Sequence, residues 1–222
     1  MKDIIIIGNS LGAEILYGYL SADSRYNVVG FAVDAQYIAE QSLFDLNIFS
    51  LETLVDKFPP NSVSVVLGVG YSGVNANRAE LYNRVKEMGY SVETYIHPTA
   101  TVMPSASIGE GVVVLASSVI EPFAQIGNNS FVWCNCTVAH HAKIGDHVWI
   151  ASNTVISGQT EVANGTFIGV GAVISNKVHI AEKNIIGGSA FLTRDTKINE
   201  VWLARSSEKH RFDAENYAKY FL

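Results

Sequence analysis

Residues 138–174 read VAHHAKIGDHVWIASNTVISGQTEVANGTFIGVGAVI, and an aliphatic residue returns at every sixth position of this stretch. The same spacing extends in both directions without an insertion. The positions are Val102, Ile108, Val114, Ile120, Ile126, Val132, Val138, Ile144, Ile150, Ile156, Val162, Ile168, Ile174, Ile180, Ile186 and Leu192. A period of six does not fit an α-helix, which repeats every 3.6 residues. It is typical of a parallel β-helix, in which each hexad forms one side of a triangular coil.

A second feature of each hexad supports this interpretation. The residue four places after the aliphatic one is usually small, as at Ala106, Ser118, Ala142 and Thr154. We expect the aliphatic side chains to fill a narrow core and the small residues to lie beside the corners. Three hexads complete one coil, so residues 18 apart stack at the strand spacing of about 4.8 Å. We predict roughly five coils over residues 98–195.

The chain before residue 98 has a different pattern, in which strand-like and helix-like segments alternate. The predicted strands are residues 2–7, 27–33, 63–69 and 91–96, and the predicted helices are residues 13–20, 51–58 and 75–88. Such alternation indicates a small parallel α/β sheet in residues 1–97. Residues 196–222 form a tail, in which 206–221 have the pattern of an amphipathic helix. We expect this helix to cap the open end of the solenoid or to pack on a neighbouring subunit.

Composition narrows the possible functions. Of the 222 residues, 48% are hydrophobic and 16% charged, which favours a folded core, and the net charge of −6 argues against general nucleic-acid binding. The apolar run at residues 4–7 is too short for a membrane span, and we expect a cytoplasmic protein. Cys134 and Cys136 are expected to be small unpaired residues, because a disulfide between them would be strained. Two thiols without other ligands do not form a zinc site, so no metal is expected.

The pair His140-His141 is the main candidate for catalysis. His140 follows the core residue Val138 by two positions and should lie on the outer surface near a corner. An imidazole there can take a proton from an attacking amine or hydroxyl. Gly158 lies one coil above, where its N–H could polarise a thioester carbonyl. We predict His140 as general base and Gly158 as oxyanion donor, while His141 orients His140, contacts substrate, or does neither.

A nucleotide site is predicted at the carboxyl ends of the N-terminal strands. Residues 8–13, GNSLGA, join the first strand to the first helix and resemble a phosphate-binding turn, although the spacing G-x-G-x-x-G is not met. Other candidates follow the second and third strands. Because ligands of open α/β sheets bind outside these strand ends, the predicted contacts are Ser10, Leu11, Gly12, Asp34, Gly70 and Tyr71.

These landmarks together resemble the bacterial nucleotide-sugar acetyltransferases, which include bacillosamine-type N-acetyltransferases and sialic-acid O-acetyltransferase-like enzymes. The matching segments are residues 8–13, residues 30–34, Gly70 with Arg78, residues 96–100 and residues 138–146. The resemblance implies a Rossmann-like domain at 1–97 and a left-handed β-helix at 98–195. It also implies a homotrimer that binds acetyl-CoA between adjacent β-helices.

The resemblance assigns roles to single residues as well. The family's histidine that matches His140 is the general base, and an acidic residue commonly follows it, where this chain has His141. Trp149 stands where family members often carry a histidine near CoA, and the backbone at Val170 and Gly188 matches further CoA contacts. The nucleotide-sugar contacts are matched by Ser10, Leu11, Gly12 and Asp34.

The predicted function is therefore acetyl-CoA-dependent N-acetylation of a nucleotide-linked amino sugar, in bacterial surface-glycan (lipopolysaccharide) biosynthesis. One alternative is O-acetylation of a sugar hydroxyl, which needs a stronger base. Another is a non-catalytic β-helix trimer that binds a sugar nucleotide, which the departures at His141 and Trp149 keep open.

Overall fold

The computed structural model describes residues 1–221 and begins with an α/β domain. Its strands are β1 (Lys2–Ile7), β2 (Tyr26–Val33), β3 (Ser42–Leu43), β4 (Leu46–Ser50) and β5 (Ser64–Leu67), and its helices are α1 (Leu11–Ser21), α2 (Leu54–Lys57) and α3 (Ala76–Glu87), with 3₁₀ turns at Ala35–Tyr37 and Leu51–Thr53. The sheet order is β3-β4-β2-β1-β5. The sheet is mixed, because β3 and β4 form an antiparallel hairpin that the sequence did not predict.

Strand β1 shows why this sheet forms. Ile4 and Ile6 enter the hydrophobic core on one side of the sheet, and Ile5 and Ile7 enter the core on the other. An uninterrupted apolar strand is typical of the centre of a sheet that is covered on both faces. Its neighbours β2 and β5 both run parallel to it, so their carboxyl ends meet at one edge.

Residues 95–202 form the predicted β-helix. Its strands are β6 (Tyr95–Ile96), β7 (Thr101–Val102), β8 (Ser107–Ile108), β9 (Val113–Val114), β10 (Val119–Ile120), β11 (Gln125–Ile126), β12 (Phe131–Val132), β13 (Thr137–Val138), β14 (Lys143–Ile144), β15 (Trp149–Ile150), β16 (Val155–Ile156), β17 (Glu161–Val162), β18 (Phe167–Ile168), β19 (Val173–Ile174), β20 (His179–Ile180), β21 (Ile185–Ile186), β22 (Phe191–Leu192) and β23 (Val201–Trp202). They build three parallel sheets. The first face contains β6, β9, β12, β15, β18, β21 and β23; the second runs from β7 to β22; the third runs from β8 to β20.

The stacking register is the predicted one. Val119 pairs with Thr137 and Lys143 with Glu161, each 18 residues along. The aliphatic positions from Val114 to Leu192 are buried in one core. Hydroxyl groups are tolerated at its corners because they donate to carbonyls, as Thr154 Oγ1 does to Ala151 at 2.7 Å.

The α/β domain packs on the first face of the β-helix. The outward side chains of that face, Val113, Phe131 and Trp149, share a core with Leu16 and Leu20 of α1. The buried Arg78 of α3 joins the two halves, since its Nε donates to Asn129 O at 3.0 Å and its Nη1 donates to Leu67 O at 3.0 Å and Val69 O at 3.1 Å. Burial lowers the pKa of Arg78 to about 9.

Both ends of the β-helix differ from the prediction. The predicted strand at 91–96 is divided: Val92 bridges to β5, whereas Tyr95–Ile96 pairs with β9 and opens the solenoid. At the other end, Trp202 of β23 packs against the core, and Asn184 Nδ2 donates to Lys197 O at 2.9 Å.

The C-terminal helix is shorter than predicted. Helix α4 spans Ala214–Phe221, and all its residues are exposed. The open end of the core is therefore closed by the segment that precedes this helix. No helix within residues 1–221 has the length and hydrophobicity that crossing a membrane requires.

Candidate functional site

His140 lies in the turn between β13 and β14, on the edge where the second and third faces meet. Its backbone is held from both neighbouring coils. The N–H of His140 donates to Glu121 Oε2 at 2.8 Å in the coil below, and its carbonyl accepts from Gln159 N–H at 3.0 Å in the coil above. The side chain is exposed, so the imidazole is presented to solvent from a fixed backbone.

Gly158 lies directly against the His140 ring, as predicted. A methyl group added at Gly158 would be 2.5 Å from Cε1 and 2.6 Å from Nε2 of His140. Carbon atoms do not approach so closely without displacement, since their optimal separation is about 3.5–4.0 Å. Glycine is thus the residue that permits this ring position.

His141 lies beside both. Its φ of 60° is in the left-handed region, and Phe123 has the same conformation one coil below. The two rings pack together with centroids 4.8 Å apart. Nδ1 of His141 is 3.3 Å from Nδ1 of His140. The structure therefore brings His140, His141 and Gly158 together.

A second candidate site is a cavity of about 250 Å³ at the carboxyl ends of β1, β2 and β5. Of the predicted contacts, Ser10, Asp34 and Gly70 line it. The carboxylate of Asp34 is paired with Arg84 at 2.6 Å. The start of α1 adjoins the cavity, and a helix N-terminus favours phosphate.

Three predicted contacts lie elsewhere. Leu11 is 69% exposed on α1. Gly12 packs against Gly68, the residue that follows β5, where an added methyl group would be 2.7 Å from Gly68 O. The Tyr71 ring packs against the rings of Phe167 and Trp149, with centroid distances of 4.6 Å and 5.3 Å.

The cavity also contains residues that the sequence did not indicate. Asn9, Tyr37, Ser72 and Asn77 line it, and Asn9 Nδ2 donates to Tyr37 O at 2.9 Å. Asn9 and Ser72 are next to predicted contacts in the sequence. Their positions just after strand ends could have identified them as cavity residues. Tyr37 and Asn77 reach the cavity through the 3₁₀ turn and α3, which no motif marked.

The predicted CoA contacts fall in two environments. Trp149 is only 5% exposed and stacks on Phe131 at 4.6 Å in the contact between the domains. Its position in a single chain gives no support to a role in CoA binding. Val170 and Gly188 stack at the edge between the first and second faces, and a methyl group at Gly188 would be 3.2 Å from Val170 O. The second face separates this edge from His140.

Within residues 1–221, no group of three or more His, Cys, Asp or Glu side chains is arranged to hold a metal ion. Cys134 and Cys136 are both free thiols, and burial raises the pKa of Cys136 to about 11. A thiol held protonated in this way is a poor nucleophile. The reactive groups of the two sites are therefore imidazole, carboxylate and backbone amide groups.

The repeats and the fold define the class of protein that this chain resembles. Residues 123–158 match the family model of the bacterial transferase hexapeptide (six repeats). No curated protein sequence matches the chain. The chain thus has hexapeptide repeats of the bacterial transferase type, preceded by an α/β domain.

Several solved structures share the two-domain fold of this chain. The acetyltransferase domain of PglB from Neisseria gonorrhoeae FA1090 has a TM-score of 0.81 and 22% identity, covering 90% of this chain and 96% of that chain. A histidine-to-asparagine mutant of perosamine N-acetyltransferase from Caulobacter crescentus, in complex with CoA and GDP-perosamine, has a TM-score of 0.80 and 24% identity, covering 90% and 93%. WeeI from Acinetobacter baumannii AYE has a TM-score of 0.80 and 19% identity, covering 90% and 96%. The fold implied by the sequence resemblance is confirmed.

Proposed function

We propose that this chain is an acetyl-CoA-dependent N-acetyltransferase that acts on the amino group of a nucleotide-linked amino sugar. The observation that carries the proposal is the contact of the His140 imidazole with Gly158 at an exposed edge of the β-helix. This contact places a proton acceptor beside a backbone N–H. The cavity at Ser10, Asp34 and Gly70 supplies a place for the nucleotide.

The reaction follows from these groups. The sugar nitrogen attacks the thioester carbon, and the electron pair of the C=O bond moves to oxygen. The N–H of Gly158 stabilises that oxyanion, while Nε2 of His140 accepts a proton from the attacking nitrogen. The intermediate then collapses with cleavage of the C–S bond. CoA leaves as a thiolate and takes the proton from His140, which restores the neutral imidazole.

The position of His140 favours a site that is shared between two subunits. The α/β domain covers the first face, whereas His140 lies on the edge between the second and third faces, on the opposite side of the triangular coil. A nucleotide in the cavity of one chain is therefore remote from His140 of the same chain. A neighbouring chain solves this if the second faces pack around a threefold axis, because the His140 edge then meets the Val170 edge of the next subunit.

The surface of the three faces supports that packing. The outward residues of the third face include the pair Lys143–Glu161 at 2.7 Å, and they are solvated. The second face instead presents small or apolar side chains: Thr101, Val119, Thr137, Val155, Val173 and Phe191. Phe191 is 69% exposed in the single chain. An apolar face of this kind indicates an interface, and we infer a homotrimer.

The neighbour of His140 favours an amine as the acceptor. A carboxylate stabilises an adjacent imidazolium and strengthens the base, but a second imidazole does not. A hydroxyl needs a stronger base than an amine does. The pair His140-His141 therefore suits N-acetylation better than O-acetylation.

The test uses the purified chain, acetyl-CoA, and a panel of nucleotide-linked amino sugars with matched sugars that have only hydroxyls. We expect thiol release and a mass gain of one acetyl group with an amino sugar, giving a product resistant to hydroxylamine. His140→Asn should lower kcat by about 10²–10⁴. A hydroxylamine-labile product would establish the O-acetyl alternative. Binding of sugar nucleotide without thiol release would establish the non-catalytic one.

A further inference from the structure

The contact between His140 and His141 constrains their protons. The Nδ1 atoms of the two rings are 3.3 Å apart, and the ring planes are nearly perpendicular at 82°. When both rings are neutral, this contact is a hydrogen bond if one Nδ1 carries hydrogen and the other accepts it. The contact thus links the tautomer of one ring to that of the other.

We propose that His141 is a positioning residue that accepts a hydrogen bond from the Nδ1–H of His140. This bond holds His140 in the tautomer whose Nε2 is bare and able to accept a proton. The direction of the bond rests on the proposed function, because the opposite direction leaves hydrogen on Nε2 of His140. His141 then supplies, with a neutral ring, the acceptor that a carboxylate at this position would supply.

The surroundings keep both rings in place. The N–H of His141 donates to Pro122 O at 3.2 Å, and its ring packs on Phe123. The His140 ring lies on Gly158. Turning either ring would lose its contact with Phe123 or Gly158, which favours the opposed arrangement of the Nδ1 atoms.

The nearby charged group does not take the place of His141 as the acceptor for Nδ1 of His140. The carboxylate of Glu121, in the coil below, accepts the backbone N–H of His140. The pair also contacts Pro122, Phe123, Gly158 and Gln159 of the neighbouring coils, none of which has a titratable side chain. Protonation of His141 would put hydrogen on its Nδ1 and convert the acceptor into a donor. The arrangement therefore functions only when both imidazoles are neutral.

The first experiment measures the tautomer directly. Ring-nitrogen NMR of the [¹⁵N]histidine-labelled full chain at a pH above the histidine titration range, assigned with His140→Asn and His141→Asn, reports which nitrogen carries hydrogen. We expect hydrogen on Nδ1 of His140 and on Nε2 of His141. Hydrogen on Nε2 of His140 would overturn the proposal. This measurement needs no substrate, so it is independent of the proposed function.

The second experiment replaces the acceptor in steps. In His141→Asn, the side-chain Oδ1 replaces Nδ1 as the acceptor. Asparagine also tolerates a positive φ and does not titrate. We expect kcat to fall less than tenfold, and the acid limb of kcat/KM to change from second order in protons to first order. His141→Asp should move that limb to higher pH, because a carboxylate raises the pKa of an adjacent imidazole. His141→Leu, without an acceptor, should lose about tenfold or more in kcat.

The matched control is His179→Asn, a surface histidine two coils away on the third face, which should leave the pH profile unchanged. A purely structural role for His141 predicts lower yield or stability and no change in the order of the acid limb, which would reject the proposal. If NMR gives the expected tautomers but no acceptor is acetylated, the positioning bond stands and the proposed function fails.

Discussion

At the scale of single residues, Gly158 makes the sharpest prediction. Gly158→Ala keeps the backbone N–H but puts a methyl group within 2.5 Å of the His140 ring. The ring must move, and a displacement of about 1 Å in a reacting group can cost about 10²-fold in rate. We expect a loss of that size in kcat, measured by thiol release from acetyl-CoA, with little change in thermal stability.

Gly18→Ala is the control for this change, since an added methyl group there meets no atom within 4 Å. It should leave kcat unchanged. Wild-type kcat in Gly158→Ala would show that the position of the ring is not important for turnover.

His147 predicts a pH dependence of stability. Burial is the main cause that lowers the pKa of His147, which lies half-buried with its Nδ1 2.8 Å from Asn129 Nδ2. The unfolded chain therefore binds a proton at higher pH than the folded chain does. This stability is complete above the unfolded pKa, about 6.5, and is lost as the pH falls below it.

We expect His147→Asn, whose Oδ1 preserves the acceptor, to reduce the fall in Tm between pH 8 and pH 5.5. His210→Asn alters an exposed histidine of the tail and should keep the wild-type slope. Equal slopes in all three proteins would show that His147 does not contribute to acid destabilisation.

At the scale of structural elements, the hexads could be predicted residue by residue because a period of six fixes both the strand and its register. Val119 and Thr137 pair as their spacing requires. The hairpin of β3 and β4 has no such constraint, and Tyr37 reaches its cavity only through the packing of the whole domain. The sequence placed His140 against Gly158 by counting 18 residues. It did not indicate that the first face, with Trp149, would be covered.

Two substitutions near the C-terminal end of the β-helix can test which segment closes its core. Trp202 packs on the core, whereas Phe212 lies in the tail near an exposed helix. A fully buried tryptophan costs about 3–5 kcal/mol when replaced by alanine. For the half-buried Trp202, we expect Trp202→Ala to lower the free energy of unfolding, measured in urea, by about 2 kcal/mol. Phe212→Ala should change it little. The reverse order would return the capping role to the predicted helical segment 206–221.

At the scale of the whole molecule, a site shared between subunits predicts complementation. In the proposed mechanism, His140→Asn removes the base and Asp34→Ala weakens nucleotide binding, so each variant alone should be nearly inactive at low acceptor concentration. When the two are unfolded together and refolded, about a quarter of the sites in random trimers combine an intact His140 with an intact neighbouring cavity. The refolded mixture should therefore recover about a quarter of the wild-type activity. No recovery, with trimers verified by sedimentation, would place each site within one chain.

The buried guanidinium of Arg78 has a mechanical consequence. It ties Leu67 and Val69, at the end of β5 beside the α/β-domain cavity, to Asn129 of the solenoid. A buried charge that loses its partners is strongly destabilising, so separating the domains while Arg78 stays buried would be costly. The two domains should then behave as one stiff body with no hinge between them, and they should melt in a single cooperative transition. In the proposed trimer, the spacing between a sugar nucleotide and the neighbouring histidine would be set when the subunits assemble, and not by closure during each catalytic cycle.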